Sequence, residues 1–240
     1  MKILDDLLVA LRQGEVVADI RQGPFQTAVL TDNCGLASTP HEHDNHHKDS
    51  PVKGAGELVG KEALEIAKLA YSPSLFEAAI GMATVNSLLD VDEEHCVNLN
   101  ARDLLVEKGS GQRVALVGHF PFVEELRQKV EKLWVFERHL REGDFAESEE
   151  ENLIPQADVV GITGSAFINH TIEHLLGLCR PEAYTVILGG TAPLSPVLFD
   201  HGVDAISGTK VVDPEAVLRC VSQGATFRQI KGIKLLTMKK

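Results

Sequence analysis

The stretch RVALVGHFPFVEELRQKVEKLWVFE, residues 113–137, decides the fold. RVALVG (113–118) is a nearly unbroken apolar run ending in glycine, and it reads as a buried strand. FVEELRQKV (122–130) spaces its apolar residues as a helix does, and LWVFE (133–137) is a second apolar run. A strand that is apolar along its whole length has both faces covered. The two runs therefore belong side by side in a parallel sheet with helices on either face.

Working toward the C-terminus, the alternation continues. An acidic helical stretch lies near 147–154, DVVGIT (158–163) is a strand, and INHTIEHLLGLC (168–179) reads as a helix. YTVILG (184–189) is a strand, SPVLFDHG (195–202) a short helix and DAIS (204–207) a strand. PEAVLRCVSQG (214–224) is a helix capped by Asp213, with Pro214 at its first position. ARDLLVEKG (101–109) is a helix leading in, and the polar, aperiodic DVDEEHCVNLN (90–100) reads as a linker. Residues 96–240 are thus expected to form a Rossmann-like doubly wound domain.

The first ninety residues follow another pattern. Ile3, Leu4, Leu7, Leu8 and Leu11 share one helical face, and Gly14 ends that helix. VVADI (16–20), FQTAVL (25–30) and CGLAST (34–39) read as three strands. GKEALEIAKLAY (60–71) and SPSLFEAAIGMATVNSLL (72–89) read as helices, the second with Ser72 as N-cap and Pro73 in its first turn. Its Ala78, Ala79, Gly81 and Ala83 permit close backbone packing. The fold class expected is α/β: a small α+β unit over residues 1–95, then the doubly wound parallel sheet.

Composition narrows the function. A net charge of -12 argues against nucleic-acid binding, which rests on Lys and Arg, and suits solubility and a cationic ligand. Asp5 and Asp6 interrupt any apolar leader, and no run approaches a membrane span. Cys34, Cys96, Cys179 and Cys220 form no CxxC pair and read as reduced, mostly buried thiols of a cytoplasmic protein. A homo-oligomeric state is left open.

In an open parallel sheet, ligands bind beyond the C-terminal ends of the strands. Four loops there stand out: GHFPF (118–122), ERHLREGD (137–144), TGSAFINHT (163–171) and GGTAPLSP (189–196). Gly118, Gly164, Gly189 and Gly190 allow sharp turns or close approach to a ligand, and Thr163, Ser165, Thr191 and Ser195 supply hydroxyls. GHFPFV fails as a dinucleotide fingerprint, because His119, Phe120 and Pro121 would crowd a pyrophosphate. HTIEH (170–174) matches an inverted zinc-protease pattern, with His170 and His174 one helical turn apart, but an α/β sheet is the wrong setting for that enzyme. There is no GxSxG elbow, and His95, His139 and His201 read as isolated.

Several motifs in order carry a family resemblance: VGHFPF, a second strand ended by Glu137, ITGSAFINHT, GGTAPLSPVLF, GVDAISGTKVVDPE and SQGATFRQ. Over about residues 100–232 the chain resembles the family described as "putative heavy-metal chelation" domains. TAVLTDNCGLAST and GMATVNSLL in residues 1–90 are similar to the enolase-N-terminal-like domain that usually precedes it. The chain departs from the family in having GGTAP where a Gly-Pro-Ser start is common. The resemblance implies a ligand site in the cleft between the two domains, for a heavy or transition metal or a metal-containing small molecule. It implies no enolase chemistry, because fold does not carry function.

The expected lining residues are Gly118, His119, Phe120, Glu137, Thr163, Gly164, Ser165, Asn169, Gly190, Thr191 and Ser195. His119 and Glu137 are the expected direct ligands of a divalent transition metal, since imidazole and carboxylate suit such ions. The alternative is an enzyme acting on a nucleotide-like or phosphorylated small molecule at the same strand ends, with helix N-termini favouring its anion. No catalytic residue is assigned. The segment TPHEHDNHHKDSP (39–51), with His41, His43, His46 and His47, reads as a solvated connector, with a histidine-bearing lid as its alternative.

Overall fold

The computed structural model of the protein describes residues 1–40 and 52–240. The histidines of the 41–47 segment, and the lid they were weighed for, lie outside the described residues.

The chain opens with α1 (Lys2–Val9), which buries Ile3, Leu4 and Leu7 as their spacing requires. Three strands follow: β1 (Asp19–Gln22), β2 (Gln26–Leu30) and β3 (Cys34–Ser38), an antiparallel sheet in that order. α2 (Ala63–Ala67) tightens into a 3-10 turn at Lys68–Tyr71, and α3 (Leu75–Leu88) completes this part. The N-cap of α3 is Ser74 and not Ser72: the extended Ser74 accepts from the Glu77 N–H. Ser72 is committed elsewhere, accepting from the Ser74 N–H and donating to the Glu77 carboxylate.

α3 is buried on almost every side, which is why it is built from alanine and glycine. A Cβ on Gly81 would stand 2.0 Å from the Ala70 nitrogen, and one on Gly35 of β3 would stand 2.0 Å from the Ala83 carbonyl oxygen. The helix is therefore pressed between the sheet and the preceding turn at backbone contact, a separation only glycine allows.

The second sheet is built from β4 (Cys96–Val97), α4 (Ala101–Gly109), β5 (Arg113–Val117), α5 (Val123–Arg127), β6 (Lys132–Phe136), α6 (Glu150–Leu153), β7 (Val159–Thr163), α7 (Ser165–Ile168), α8 (Ile172–Leu178), β8 (Tyr184–Leu188), β9 (Ala205–Val211), α9 (Pro214–Ser222) and β10 (Ile233–Lys239). Its order is β4-β10-β9-β8-β7-β5-β6. β5 to β9 are parallel, and β10 and β4 are antiparallel additions to the β9 edge. The five parallel strands follow the doubly wound order 2-1-3-4-5, whose winding reverses between β5 and β7. A crevice opens at such a reversal, because the two connections leave on opposite faces.

Two readings are corrected, and one strand is added to them. The 90–100 segment is not a bare linker: Cys96 and Val97 pair with Met238 and Thr237. β10 itself was not legible, because IKLLTMK alternates weakly and carries lysines at both ends. INHTIEHLLGLC is not one helix. His170 takes φ 59, in the left-handed region, and divides α7 from α8. His170 and His174 therefore do not share one helical face, and the HTIEH pattern loses its geometry. His170 Nε2 meets the Ala70 carbonyl oxygen at 2.8 Å, which holds this turn against the first part of the chain.

The two sheets share a core. Ala28 and Leu36 pack with Val217 and Val221 of α9, while Trp134 and Phe136 of β6 and Phe167 of α7 are buried in one cluster with residues of α1 and α3. Polar ties join the same parts. The Ile3 N–H donates to Glu173 (2.8 Å), and His201 meets Asp6 (2.9 Å). The capping of α9 is as read, with Asp213 accepting from the Ala216 N–H. No described helix is long and apolar enough to cross a membrane.

Candidate functional site

A cavity of about 650 Å³ opens at the C-terminal ends of the parallel strands, where the winding reverses. That volume lies in the range of small-molecule sites. β7 ends in Thr163 and runs into Gly164 and Ser165; β8 runs into Gly189, Gly190 and Thr191; β9 contributes Ser207, Gly208 and Thr209. From the β5 loop come Phe120, Pro121 and Phe122. β3 supplies Ser38, the start of α4 supplies Asn100, Ala101 and Arg102, and the turn after α9 supplies Thr226, Phe227 and Arg228. Leu99, Leu188, Leu235 and Leu236 complete the apolar wall.

Glycine is needed at these strand ends for specific reasons. Gly189 takes φ 113, a conformation that L side chains rarely adopt. A Cβ on Gly164 would stand 2.4 Å from the Ala192 nitrogen, so two adjacent strand-end loops touch through backbone. The Gly164 N–H donates to the Leu188 carbonyl, and the Gly189 N–H to Ser207, so each loop is tied to the next strand.

Thr191 links this floor to the small sheet. It is buried, its Oγ1 accepts from the Ser38 N–H (2.9 Å), and it donates to Ser38 Oγ (3.3 Å). Asn86 of α3 bridges the same junction, donating to the carbonyls of Leu36 (2.8 Å) and Thr191 (3.2 Å). Thr191 is thus a hydrogen-bonding element of this loop.

Of the residues singled out in sequence, Phe120, Thr163, Gly164, Ser165, Gly190 and Thr191 line the cavity. Gly118, His119, Glu137, Asn169 and Ser195 are placed outside its lining. Asn169 ends α7, and Ser195 is buried at the start of the 3-10 turn Pro196–His201. Gly118, at φ 98, turns the chain out of β5. The carboxylate of Glu137 accepts from the His119 N–H (3.0 Å) and the Arg138 N–H (2.8 Å), clasping the ends of β5 and β6 together. His119 Nδ1 faces both oxygens of Asp144, at 3.0 and 3.1 Å, and Asp144 is fully enclosed. Asp144 also accepts from the Arg141 N–H, so it is a fixed partner that orients the imidazole.

The donors around the cavity do not suit a bare metal ion. Its lining holds no histidine, cysteine, aspartate or glutamate, and it includes two guanidinium groups. Among the described residues no three such side chains are grouped to hold an ion. The four cysteines are free, only Cys34 being fully buried. Burial pushes the Cys34 thiol up to about 12, with Asp19 adding to the effect, and burial also raises Cys96 and Cys179. None of these three is poised as a thiolate ligand. The lining suits an anion or a hydroxyl-rich molecule: Arg102 and Arg228, hydroxyls from seven residues, and aromatic rings.

Sequence reasoning missed Ser38, Arg102, Thr209, Phe227, Arg228 and Asp144. For Phe227 and Arg228 a signal existed, because both sit in the SQGATFRQ motif. For Ser38 and Arg102 there was none: they reach the cavity only because the small sheet and α4 pack beside the strand ends.

Comparison with known proteins agrees with this architecture. A protein of unknown function from the DUF364 family of Desulfitobacterium hafniense superposes with a TM-score of 0.86 at 26% identity, covering 100% of this chain and 98% of the other. A second DUF364 protein of unknown function, from Pyrococcus horikoshii, gives a TM-score of 0.81 at 20% identity with the same coverage, which shows the fold alone. The uncharacterized protein MJ0500 of Methanocaldococcus jannaschii is 26% identical over 181 residues, 72% of this chain and 70% of the relative. Residues 4–89 match the DUF4213 model and residues 100–239 the DUF364 model, both described as "Putative heavy-metal chelation". Since the second match spans more than half of the chain, this protein belongs to the DUF364 family.

Proposed function

We propose that this protein binds a metal-containing small molecule, the metal arriving with donors of its own, in the cleft between an N-terminal unit (residues 1–95) and a C-terminal one (96–240). One observation carries this reading: the cavity at the strand ends offers arginine and hydroxyl donors and no residue type that ligates a heavy metal. The family description concerns chelation, and a chelated metal presents an organic and commonly acidic surface. That surface is what guanidinium and hydroxyl groups recognise. Ser38 on one side and Thr163, Thr191 and Thr209 on the other would hold the complex by hydrogen bonds. His119, whose Nδ1 is fixed by Asp144, belongs to the same β5 loop that carries Phe120 into the cavity.

The test is native mass spectrometry with elemental analysis of protein purified without affinity metal. The expected result is a divalent metal and an organic molecule that leave together on denaturation. Metal retained after every organic molecule is stripped away would overturn the reading.

A second reading draws on the same two guanidiniums. They, with the N-terminus of α4, would equally take the phosphate of a nucleotide-like or otherwise phosphorylated small molecule, on which the protein would act as an enzyme. A thermal-shift panel of nucleotides and of ring-free phosphates such as pyrophosphate separates the two, since only this reading expects a phosphate carrying neither aromatic ring nor metal to stabilise the protein.

A further inference from the structure

The cavity has more character than its donors alone. Phe120 and Phe122 stack with centroids 5.4 Å apart and planes 19° apart. Phe227 comes from the far end of the chain. A Cβ on Gly189 would lie 4.0 Å from Phe120 Cε1, and one on the adjacent Gly190 would lie 2.7 Å from Phe227 Cε2. Rings from two distant segments therefore pack down on successive residues of one glycine pair, Phe227 resting on the Gly190 backbone, and both rings line the cavity. Aromatic rings gathered along one cavity, from Phe120, Phe122 and Phe227, make a slot whose walls offer stacking surface to a flat body.

Charge at the slot is one-sided. Arg102 already shares its charge with Glu125 (2.8 Å) and Asp103 (3.7 Å), whereas Arg228 is exposed and makes no ion pair among the described residues. Two guanidiniums with no carboxylate in the lining stand out in a protein of net charge -12. Thr209 adds a polar handle, for its Oγ1 is shielded beside the cavity and has no hydrogen-bond partner among the described residues.

We infer that the ligand of this cavity is a planar aromatic anion, its ring stacked against the Phe120 and Phe227 rings of the lining and its acidic groups held by Arg102 and Arg228. This rests on the proposed binding of a metal-containing small molecule and specifies it: the chelator is an aromatic carboxylate type of molecule and not an aliphatic one. Guanidinium pairs with carboxylate through two parallel N–H···O bonds, which gives the site direction as well as attraction.

Calorimetry on the full chain tests this with four probes: pyridine-2,6-dicarboxylate, which is planar and anionic; citrate, anionic without a ring; 2,2'-bipyridine, planar and neutral; and nickel alone. Each chelator is measured free and as its nickel complex. The expected result is that pyridine-2,6-dicarboxylate and its complex bind at least about tenfold tighter than the corresponding citrate or bipyridine species. Arg228→Gln and Phe120→Leu should each weaken that binding by about tenfold; both residues lie at the surface of the cavity, and circular dichroism confirms that the variants are folded.

Citrate or bipyridine binding as well as the dicarboxylate overturns the inference, as does failure of the dicarboxylate to bind, or binding indifferent to both variants. The two readings fail separately. If the free dicarboxylate binds better than its nickel complex, the slot stands and the metal reading falls. If nickel citrate binds as tightly as the nickel dicarboxylate, the metal reading stands and the slot falls.

Discussion

Glu150 opens α6 with its side chain buried, and burial raises its carboxyl from 4.5 to about 7. The neighbouring Glu147 adds to the rise, and Arg138, itself paired with Glu147 at 2.7 Å, opposes it. Replacing this carboxyl by the neutral amide, Glu150→Gln, removes a charge that the folded state holds at a cost. The sign follows from proton counting. Between 4.5 and about 7 the folded protein binds more protons at this group than the unfolded chain does, so stability falls as pH rises through that window. Below 4.5 both states are protonated and the variant should match the parent. At about 1.36 kcal/mol per pH unit, the interval sets a ceiling of ~3.4 kcal/mol in favour of the variant above pH 7. Solvent screening around a group on a short surface helix lowers the expected gain to about 1–2 kcal/mol. Urea unfolding of both proteins from pH 4 to pH 8, with equal m-values, reads the difference directly. A stability difference that stays constant across the range, or favours the parent at pH 8, would show that burial at Glu150 does not hold its proton.

Asp158 behaves in the opposite sense: Arg113 first, then Arg180, holds its carboxyl well below the usual carboxylate range, so its stabilisation is complete above the ordinary value and is lost as pH falls. Asp158→Asn should cost about 1.5–3 kcal/mol at neutral pH and progressively less below pH 4 in acid-titrated unfolding. Gly81→Ala should destabilise by about 3 kcal/mol or more, because the new methyl meets the Ala70 backbone and no flexible side chain can yield. Gly177→Ala is its contrast, on an exposed helical site with nothing within 4 Å, and should raise the thermal midpoint by the equivalent of about 0.5–1 kcal/mol. Thr191→Val keeps the shape and removes the acceptor for Ser38 N–H, costing about 1–3 kcal/mol and speeding amide exchange at Ser38.

Much of the architecture was legible because it is written in local patterns. The apolar runs Val114–Val117, Leu133–Phe136 and Val159–Thr163 became β5, β6 and β7, and the alanine–glycine content of 78–83 became the helix pressed at backbone contact. Failures came where tertiary forces decide. IKLLTMK is a strand because it pairs along all of β9, a partner invisible to a reading along the chain. His170 breaks a helix that local periodicity favours, since its ring hydrogen bonds to Ala70, a hundred residues earlier. The clasp that Glu137 makes, one backbone N–H on each oxygen, was likewise not legible, because it needs β5 and β6 side by side.

The sequence by itself determined the α/β class and the glycine- and hydroxyl-rich loops at the strand ends, because strand length, turn glycines and strand-end position are local properties of the chain. Only the tertiary structure decided what those loops face. The crevice lies where winding reverses between β5 and β7, and strand order is set by long-range pairing. Its charge comes from Arg102 and Arg228, and its far wall from Phe227 and Ser38. These residues are remote from the loops in sequence and meet them only because burying the apolar faces of two sheets brings them there.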